Sequence, residues 1–445
     1  MAKYKTESLR CWDKAKELRQ GVYDGIAKAR DEGTMIVAGG TESAIALPAG
    51  FDMEFLGGEP YGASCTFMGI KDSSKYMKYF EAAEAAKFPR DLCSYMRLGF
   101  GSFLCNSYAF GGTYPKPTFN LQTHICDTHG KWYQIMSELE GVPYNCVDYV
   151  PFEWEIENES EESKDLKRDY VKNQMLDVID WMEKVSGKEF DDEKFINAVN
   201  WECEATNLWA RCCVVNRSIP AVMDEKMMFS LYVIAVLMRQ RKAAVDFYRE
   251  LLDELEDRAA RGIAAFGDER LRLLHDSQPP WHSLEIFRYL EEFGAVSIGA
   301  NYSFALSGGW AYDKENETWF PADPPRVAGV ELKTREDACA WYANWLLEYH
   351  IVLRSLRFSG RGKNQRMHDI VKKWHVDGVM MHLNRGCEGT AVGQMEMRYY
   401  FSENNIPSLT YEGNHADKRE FDLPRTKAKI DTFMETLGVR KFSEE

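Results

Sequence analysis

The chain has 445 residues, of which 45% are hydrophobic, so it is long enough to form several packed domains without disulfide bonds to stabilise them. Its net charge of −15 at pH 7 argues against a nucleic-acid partner, because phosphate binding depends on clustered Lys and Arg. Eleven cysteines are too few for a secreted disulfide scaffold, and no apolar run reaches the roughly 18–20 residues of a membrane span, so we expect a cytoplasmic protein with reduced thiols and no membrane partner.

The first part of the chain alternates helical and strand-like segments. Residues 1–30 carry apolar side chains at spacings near three and four, which predicts an N-terminal helix. Strands are predicted at 35–40, 119–124 and 146–150, and helices at 73–86, 92–105 and 131–140. Such alternation is typical of a parallel sheet with crossover helices, so residues 31–155 are predicted to form a first α/β domain.

The rest of the chain divides into a helical part and a second alternating part. An acidic stretch at 153–165 is interpreted as a solvated connector, and 156–266, nearly free of strand signals, as a helical domain. Residues 267–445 form the second α/β domain, with strands at 271–275, 295–302, 378–384 and 408–412 and helices at 283–293, 335–349, 367–374 and 425–437. The predicted fold class is α/β, with two doubly wound, Rossmann-like parallel-sheet domains and a helical insert domain.

Three of the cysteines stand where an open α/β sheet builds sites. Cys93, Cys126 and Cys387 lie at predicted strand C-terminal ends or helix N-termini, and no CxxC motif offers a more compact metal site. A helix N-terminus favours thiolate over thiol and would stabilise an anionic iron–sulfur cluster. The alternative for any cysteine is a buried, small apolar residue. That alternative is adopted for Cys11, Cys65, Cys105, Cys146, Cys203, Cys212, Cys213 and Cys339.

Several segments carry a family resemblance that runs almost from end to end. They are ESAIALPAGFDMEFLGGEPYGA, KFPRDLCSYMR, THICDTHGKW, WHVDGVMMHLNRGCEG and NNIPSLTYEGNHADKREFDLPRTKAKIDTFMETL. Together they resemble the superfamily of 2-hydroxyacyl-CoA dehydratases (D-component) and ATP-dependent benzoyl-CoA reductases. FPRDLCSYMR and MMHLNRGCEG are most similar to the larger, B/O-type core subunit of the reductases.

The resemblance implies a [4Fe–4S] cluster on Cys93, Cys126 and Cys387, with the fourth iron left for a non-cysteine ligand or for substrate. It implies a hetero-oligomer with a homologous second core subunit, ATP-hydrolysing activator subunits that carry a bridging [4Fe–4S] cluster, and ferredoxin as electron donor. ATP is expected only on those partners, because this chain has no GxxxxGK[ST] loop. The implied oxidoreductase activity is dearomatisation of benzoyl-CoA, or a similar aromatic CoA thioester, to a cyclohexadienoyl-CoA.

Two other functions remain open. A subunit of a 2-hydroxyacyl-CoA dehydratase would use the same three cysteine ligands but recycle its electron, so that no net reduction occurs. An electron-relay or scaffold subunit would carry a cluster that never meets substrate. The cysteine ligand set is compatible with all three functions.

Residues that handle protons or substrate are the weakest part of the sequence signal. His124 and His129 flank Cys126, where either could donate a proton or hydrogen-bond to cluster sulfur, with a structural imidazole as the alternative. Thr41 and Glu59 lie in a segment that borders the substrate cleft in similar proteins, although both are also turn-forming residues beside glycines. A basic run is interpreted as a solvated loop, with CoA phosphates or an acidic partner as alternatives; its members are Arg354, Arg357, Arg361, Lys363 and Arg366.

Overall fold

The computed structural model describes residues 2–41, 44–150, 159–350 and 361–444. Its strands are β1 Lys5–Thr6, β2 Ile36–Gly39, β3 Glu54–Gly57, β4 Phe119–Thr123, β5 Tyr144–Val147, β6 Ile263–Ala264, β7 Leu271–Asp276, β8 Ala295–Ala300, β9 Trp310–Asp313, β10 Thr318–Pro321, β11 Gly378–Asn384 and β12 Ser408–Gly413.

The helices before the second sheet are α1 Trp12–Glu32, α2 Gly58–Met68, α3 Ser74–Ala85, α4 Ser94–Leu104, α5 Asp127–Glu140, α6 Glu161–Ser186, α7 Asp192–Val215, α8 Glu225–Leu231, α9 Val233–Met238 and α10 Lys242–Arg261. Those that follow are α11 Glu285–Glu291, α12 Asn301–Ser307, α13 Arg335–Asn344, α14 Arg361–Lys373, α15 Glu388–Ala391, α16 Gln394–Glu403 and α17 Leu423–Thr436. None of the helices in the described ranges is long and apolar enough to cross a membrane.

Two parallel sheets of four strands organise the fold. The first has the order β3-β2-β4-β5 and the second the order β12-β11-β7-β8. In each sheet the strand order reverses at one point, between β2 and β4 in the first and between β7 and β11 in the second. Ligands of open α/β sheets bind at such points, beyond the C-terminal ends of the strands. The predicted α/β class with parallel sheets and intervening helices is confirmed.

Local sequence explains where the helical region begins. The Ser160 side chain accepts a hydrogen bond from the Ser163 N–H group and so caps α6. Glu161 and Glu162 lie in the first turn, where the positive end of the helix dipole favours acidic side chains. Residues 161–165 of the predicted acidic connector are therefore helical, which corrects that part of the prediction. Residues 151–158 lie outside the described residues.

The N-terminal helix is shorter than predicted. It begins at Trp12 rather than at the first residue, because Lys5 and Thr6 instead pair in parallel with Ile263 and Ala264. Strand β8 also ends before its predicted limit, since helix α12 begins at Asn301. The antiparallel pair β9 and β10 carries no clear alternation in the sequence and is an addition to the predicted elements. The domain boundaries remain predictions.

Candidate active site

The three cysteines singled out in the sequence occupy equivalent positions. Cys93 and Cys126 are the N-cap residues of α4 and α5, and Cys387 directly precedes α15. Cys126 and Cys387 follow strands β4 and β11, one from each sheet. A Cβ atom placed on Gly389 would lie 3.7 Å from Cys126 Cβ, so the segment that carries Cys387 packs against Cys126. Residues that lie far apart in the sequence thus converge, and two of them come from different sheets.

The three thiols are close enough to influence one another electrostatically. Burial, followed by the charges of Cys387 and Cys126, raises the pKa of the Cys93 thiol to about 12. Burial and then Cys126 also raise the pKa of Cys387 above its usual value. Cys93 and Cys387 can both ionise near neutral pH beside Cys126 only if positive charge lies among these sulfurs. The irons of a cluster would supply that charge.

Hydrogen-bond donors point at these sulfurs. Backbone N–H groups of Tyr95 and Met96 interact with the Cys93 sulfur. The Gln278 side-chain amide donates to Cys387 Sγ at 3.3 Å. In the described part of the chain, no group of three or more His, Cys, Asp or Glu could hold one metal ion. Three thiols are a donor set chemically suited to an iron–sulfur cluster.

The other cysteines lie elsewhere in the fold. Cys105 is exposed at the C-terminus of α4, and Cys146 is part of strand β5. Cys339 is buried within α13, and Cys65 is buried within α2. Cys11 precedes α1 and is also buried, as are three cysteines of α7, namely Cys203, Cys212 and Cys213.

A buried acid–histidine pair connects Cys126 to a second segment of the first sheet. His129 Nε2 contacts Glu59 Oε1, and Glu59 Oε2 accepts a hydrogen bond from the Thr41 N–H group at 3.1 Å. Burial lowers the pKa of His129, but Cys126 and Glu59 outweigh it and hold that pKa well above its usual value. Thr41 Oγ1 is buried and has no hydrogen-bond partner among the described residues. The structure therefore brings Thr41, Glu59 and His129 together next to Cys126.

His124 has a different environment from His129. Its Nε2 atom lies 3.2 Å from the Tyr144 hydroxyl, and its Nδ1 atom lies 3.5 Å from Asp148 Oδ1. These partners belong to strand β5 and to the residue just after it, and the side chains of His124 and Asp148 are 32% and 44% exposed. The contacts favour His129 over His124 as the histidine that serves the site.

A cavity of about 720 Å³ opens beside the acid–histidine pair. Thr41 and Glu59 form part of its wall, as do the aromatic side chains Phe229, Tyr232, Trp281 and Tyr302. The Trp281 indole N–H group donates to the Tyr95 hydroxyl, and Tyr95 lies two residues beyond Cys93. The cavity is therefore linked to Cys126 through Glu59 and His129, and to Cys93 through Trp281 and Tyr95.

Four basic side chains also line this cavity, namely Arg19, Lys71, Lys226 and Arg288. Lys71 and Arg288 are exposed, whereas Lys226 is 2.8 Å from Asp224 Oδ2 and also contacts Glu291. Cations at an opening lined by apolar residues suit a ligand with an apolar end and an anionic end.

The basic run of the sequence does not form a solvated loop where it is described. Lys363 and Arg366 lie on α14 and are buried, each only 4% exposed. Lys363 Nζ is 2.9 Å from Asp276 Oδ2 and donates to the Thr390 carbonyl oxygen at 3.0 Å, while Arg366 bonds to Asn301. The solvated-loop prediction is wrong for these two side chains, because Lys363 pairs with a buried carboxylate and Arg366 hydrogen-bonds to a buried amide. Arg354 and Arg357 lie outside the described residues.

Two amide residues of the site were missed in the sequence. Gln278 follows β7 and Asn384 ends β11, so both lie at the point where the strand order of the second sheet reverses. The signal that would have found them is the one applied to the cysteines, since polar residues that directly follow a buried strand line the same edge.

The sequence matches a known protein family over most of its length. A family model described as "2-hydroxyglutaryl-CoA dehydratase, D-component" matches residues 61–328 and 329–437. The alpha subunit of (R)-2-hydroxyisocaproyl-CoA dehydratase from Clostridioides difficile is 26% identical over 424 residues, covering 94% of each chain. The alpha subunit of (R)-phenyllactyl-CoA dehydratase from Clostridium sporogenes is 24% identical, covering 82% of this chain and 81% of its own.

A third relative, the alpha subunit of lactoyl-CoA dehydratase from Anaerotignum propionicum, is 24% identical and covers 85% of this chain and 86% of its own. These three relatives are all named as dehydratase subunits. They bear out the expected superfamily but give no support for a closer likeness to benzoyl-CoA reductases. Their names also denote one subunit of a larger complex.

Proposed function

The chain belongs to the 2-hydroxyglutaryl-CoA dehydratase D-component family, and from that premise we propose that it is the iron–sulfur subunit of a 2-hydroxyacyl-CoA dehydratase. The observation that carries the proposal is the convergence of Cys93, Cys126 and Cys387 beside a cavity with a buried acid–histidine pair. The names of the relatives favour dehydration over the ring reduction that the sequence motifs suggested.

Cys93, Cys126 and Cys387 would hold a [4Fe–4S] cluster, which when bound supplies a low-potential electron and an iron site open to substrate oxygen. The chain's own contribution is to keep three sulfurs at helix N-termini, where N–H groups and helix dipoles favour anionic ligands. One ligand comes from each of three separate segments, so the cluster would also join the two sheets.

The acid–histidine pair accounts for proton movement. Dehydration removes the hydroxyl group from C2 and a proton from C3 of the acyl group, so a proton must reach the leaving oxygen and the C3 proton must pass to a base, which restores the proton that was donated. Glu59 lines the cavity. The protonated His129 contacts Glu59 and lies between it and Cys126. The Thr41 hydroxyl, unpartnered among the described residues, is available to hydrogen-bond the substrate. These three residues would orient the hydroxyacyl group and protonate it.

The cavity fits a CoA ester. Its aromatic wall of Phe229, Tyr232, Trp281 and Tyr302 suits a large or aromatic acyl group. Lys71 and Arg288 at its exposed side suit the phosphates of CoA. An aromatic 2-hydroxyacyl-CoA is therefore the substrate class we favour.

The proposal includes partners. A homologous second core subunit would complete the enzyme, and activator subunits that hydrolyse ATP would deliver the electron from ferredoxin. The absence of a phosphate-binding loop from the sequence supports the assignment of ATP to those partners.

The test is anaerobic purification of the chain with its partner and activator subunits, followed by iron analysis and turnover of CoA esters. We expect about four irons bound by this chain. We also expect dehydration of aromatic 2-hydroxyacyl-CoA esters after priming with only catalytic amounts of reductant and ATP.

The same experiment distinguishes the proposed function from its alternatives. Reduction of benzoyl-CoA with two electrons consumed per product would establish the reductase function that the FPRDLCSYMR and MMHLNRGCEG segments resemble. Iron binding without turnover of either ester class, in a complex with a competent activator, would favour an electron-relay subunit. Absence of iron from the anaerobically purified chain would refute the proposal.

A further inference from the structure

Gln278 lies against Cys387, the cysteine that follows β11, and has no role in the proposed proton transfer. Gln278 is 6% exposed and lies just beyond the end of β7, beside β11. Its Nε2 atom is 3.3 Å from Cys387 Sγ. Its Oε1 atom accepts hydrogen bonds from Asn384 Nδ2 at 2.8 Å and from the Thr390 hydroxyl at 2.9 Å. One amide group thus bridges the strand that precedes Cys387 and the helix that follows it.

The orientation of this amide is fixed by backbone groups. Asn384 Oδ1 accepts from the N–H groups of Gly386 at 3.1 Å and His415 at 3.2 Å. A backbone N–H group can only donate, so the Asn384 atom that faces both of them is its oxygen. The NH₂ group of Asn384 must then face Gln278, and the Gln278 atom opposite it must be the oxygen. It follows that the Gln278 NH₂ group faces Cys387.

These hydrogen bonds give Cys387 Sγ a donor whose orientation is fixed. Asn384 is 1% exposed, so water does not readily replace its bonds. A flipped Gln278 amide would place two NH₂ groups against each other and an oxygen against the sulfur, with both contacts repulsive. The donor therefore stays directed at the sulfur without being held there by the sulfur itself.

We propose that Gln278 is a positioning residue that sets the reduction potential of the cluster through a side-chain N–H···S hydrogen bond to Cys387, with Asn384 holding its amide in the donating orientation. The inference rests on the cluster in the proposed function. A donor at a ligand sulfur stabilises the extra negative charge of the reduced cluster, and so it raises the potential. Without that donor the activator would have to deliver its electron at a more negative potential.

Two substitutions at Gln278 test the donor. Gln278→Met removes the N–H group without adding charge, and Gln278→Glu keeps the shape and both accepted hydrogen bonds but places an oxygen against the sulfur. The measurements are iron content and a redox titration followed by electron paramagnetic resonance on the anaerobic complex. We expect a more negative potential for Gln278→Met at unchanged iron content. For Gln278→Glu we expect a larger shift in the same direction or loss of iron.

The matched control is Gln394→Met. Gln394 is 3% exposed at the start of α16 and donates to the His382 carbonyl oxygen at 2.7 Å instead of to sulfur. It is thus another buried glutamine of the second α/β region, and its loss removes a donor from a different acceptor. Its variant should keep the parent potential.

The outcomes separate this inference from the proposed function. A parent chain without iron would refute the proposed function itself. A parent that binds iron, with Gln278→Met and Gln278→Glu variants at the parent potential, would overturn only the role of Gln278. Equal shifts in the Gln278→Met and Gln394→Met variants would also overturn it, because they would indicate a general packing effect. Iron loss from the Gln278→Met variant, with unchanged circular dichroism, would overturn it as well, because the donor would then serve to retain the cluster and not to set its potential.

Discussion

The thiols of Cys93, Cys126 and Cys387 lie close together, and each is needed if a cube is to be held by three ligands. We predict that Ser at any of these positions abolishes the cluster signal and turnover, because the hydroxyl group is a poor replacement for an anionic sulfur ligand. Iron content and low-temperature electron paramagnetic resonance of the anaerobic complex check this prediction.

Controls come from cysteines outside this group of three. Ala at Cys105, Cys146 or Cys339 should leave the cluster signal intact. The buried Cys339 should lose on the order of 1–2 kcal/mol of stability through its small cavity, and the exposed Cys105 almost none. Full iron retention in the Cys126→Ser variant would exclude the proposed ligand set.

A second prediction about a single residue concerns the Glu59 carboxylate. Gln at this position keeps the side-chain size but cannot exchange a proton with His129, so kcat should fall by roughly 10²–10⁴-fold while iron content stays unchanged. The matched control is Glu140→Gln. Glu140 is also a buried acid of the first α/β region, but it accepts hydrogen bonds from Tyr114 at 2.6 Å and Asn120 at 2.9 Å, away from the cavity wall. Equal loss of kcat in both variants would contradict a special role for Glu59.

Two glycines provide a test at the scale of whole helices. A Cβ atom on Gly101 would lie 2.0 Å from the Tyr79 carbonyl oxygen, so Ala there must push α4 away from α3. We expect Gly101→Ala to lower the free energy of unfolding by about 1–3 kcal/mol and to weaken iron retention, because α4 carries Cys93 at its N-terminus.

The control for this helix is Gly130→Ala. Gly130 lies on α5, the helix that Cys126 begins, and a Cβ atom there would have nothing within 4 Å. Ala should be tolerated, with up to about 1 kcal/mol gained from its better helix propensity. Chemical denaturation and iron analysis measure both effects. Greater damage from Gly130→Ala than from Gly101→Ala would show that close packing of α3 and α4 is unimportant.

Sequence periodicity predicted the elements whose apolar residues repeat regularly. The strand predicted at 378–384 matches Gly378–Asn384, and the predicted helices and strands around Cys93 and Cys126 lie within a few residues of those observed. The β9–β10 pair was missed because its residues do not alternate between apolar and polar.

The site was only partly predictable for a different reason. Position at a strand end or helix start singled out Cys93, Cys126 and Cys387 as candidates, since that rule depends on local sequence alone, and the family resemblance then implied their role as ligands. The link between His129 and Glu59, and the orientation of Gln278 by Asn384, depend on contacts between segments that lie far apart in the chain. No local pattern records such contacts.

Buried histidines make the whole molecule sensitive to acid. Burial lowers the pKa of His282 to about 4 and the pKa of His350 and of His382 to about 3, and it holds the pKa of His415 well below its usual value. Below the unfolded pKa of about 6.5, these histidines bind protons in the unfolded chain but not in the folded one. Their contribution to the free energy of unfolding is therefore present above that pH and is lost as the pH falls. Each histidine contributes up to about 1.4 kcal/mol per pH unit.

We therefore predict that the free energy of unfolding falls steeply between pH 6.5 and pH 5. Urea denaturation at pH 7.5, 6.5 and 5.5 measures it. His282→Gln should reduce the slope, because glutamine does not bind a proton in this pH range. Its amide can still donate to the Asn414 carbonyl oxygen, which lies 2.9 Å from His282 Nε2. A free energy that stays level or rises on acidification would contradict the prediction.

The pairing of β1 with β6 has a consequence for how the protein is made. Lys5 pairs with Ile263, and the Cys11 N–H group donates to Glu254 Oε2 at 3.1 Å, so the N-terminus completes its contacts only after more than half of the chain exists. At roughly 5–20 residues per second of synthesis, the first strand waits on the order of 10–50 seconds for its partner to leave the ribosome. During that interval its apolar neighbours on α1, such as Val22 and Ile26, lack their final cover from later helices. The apolar face of α1 is therefore covered only late in synthesis, when the distant part of the chain arrives.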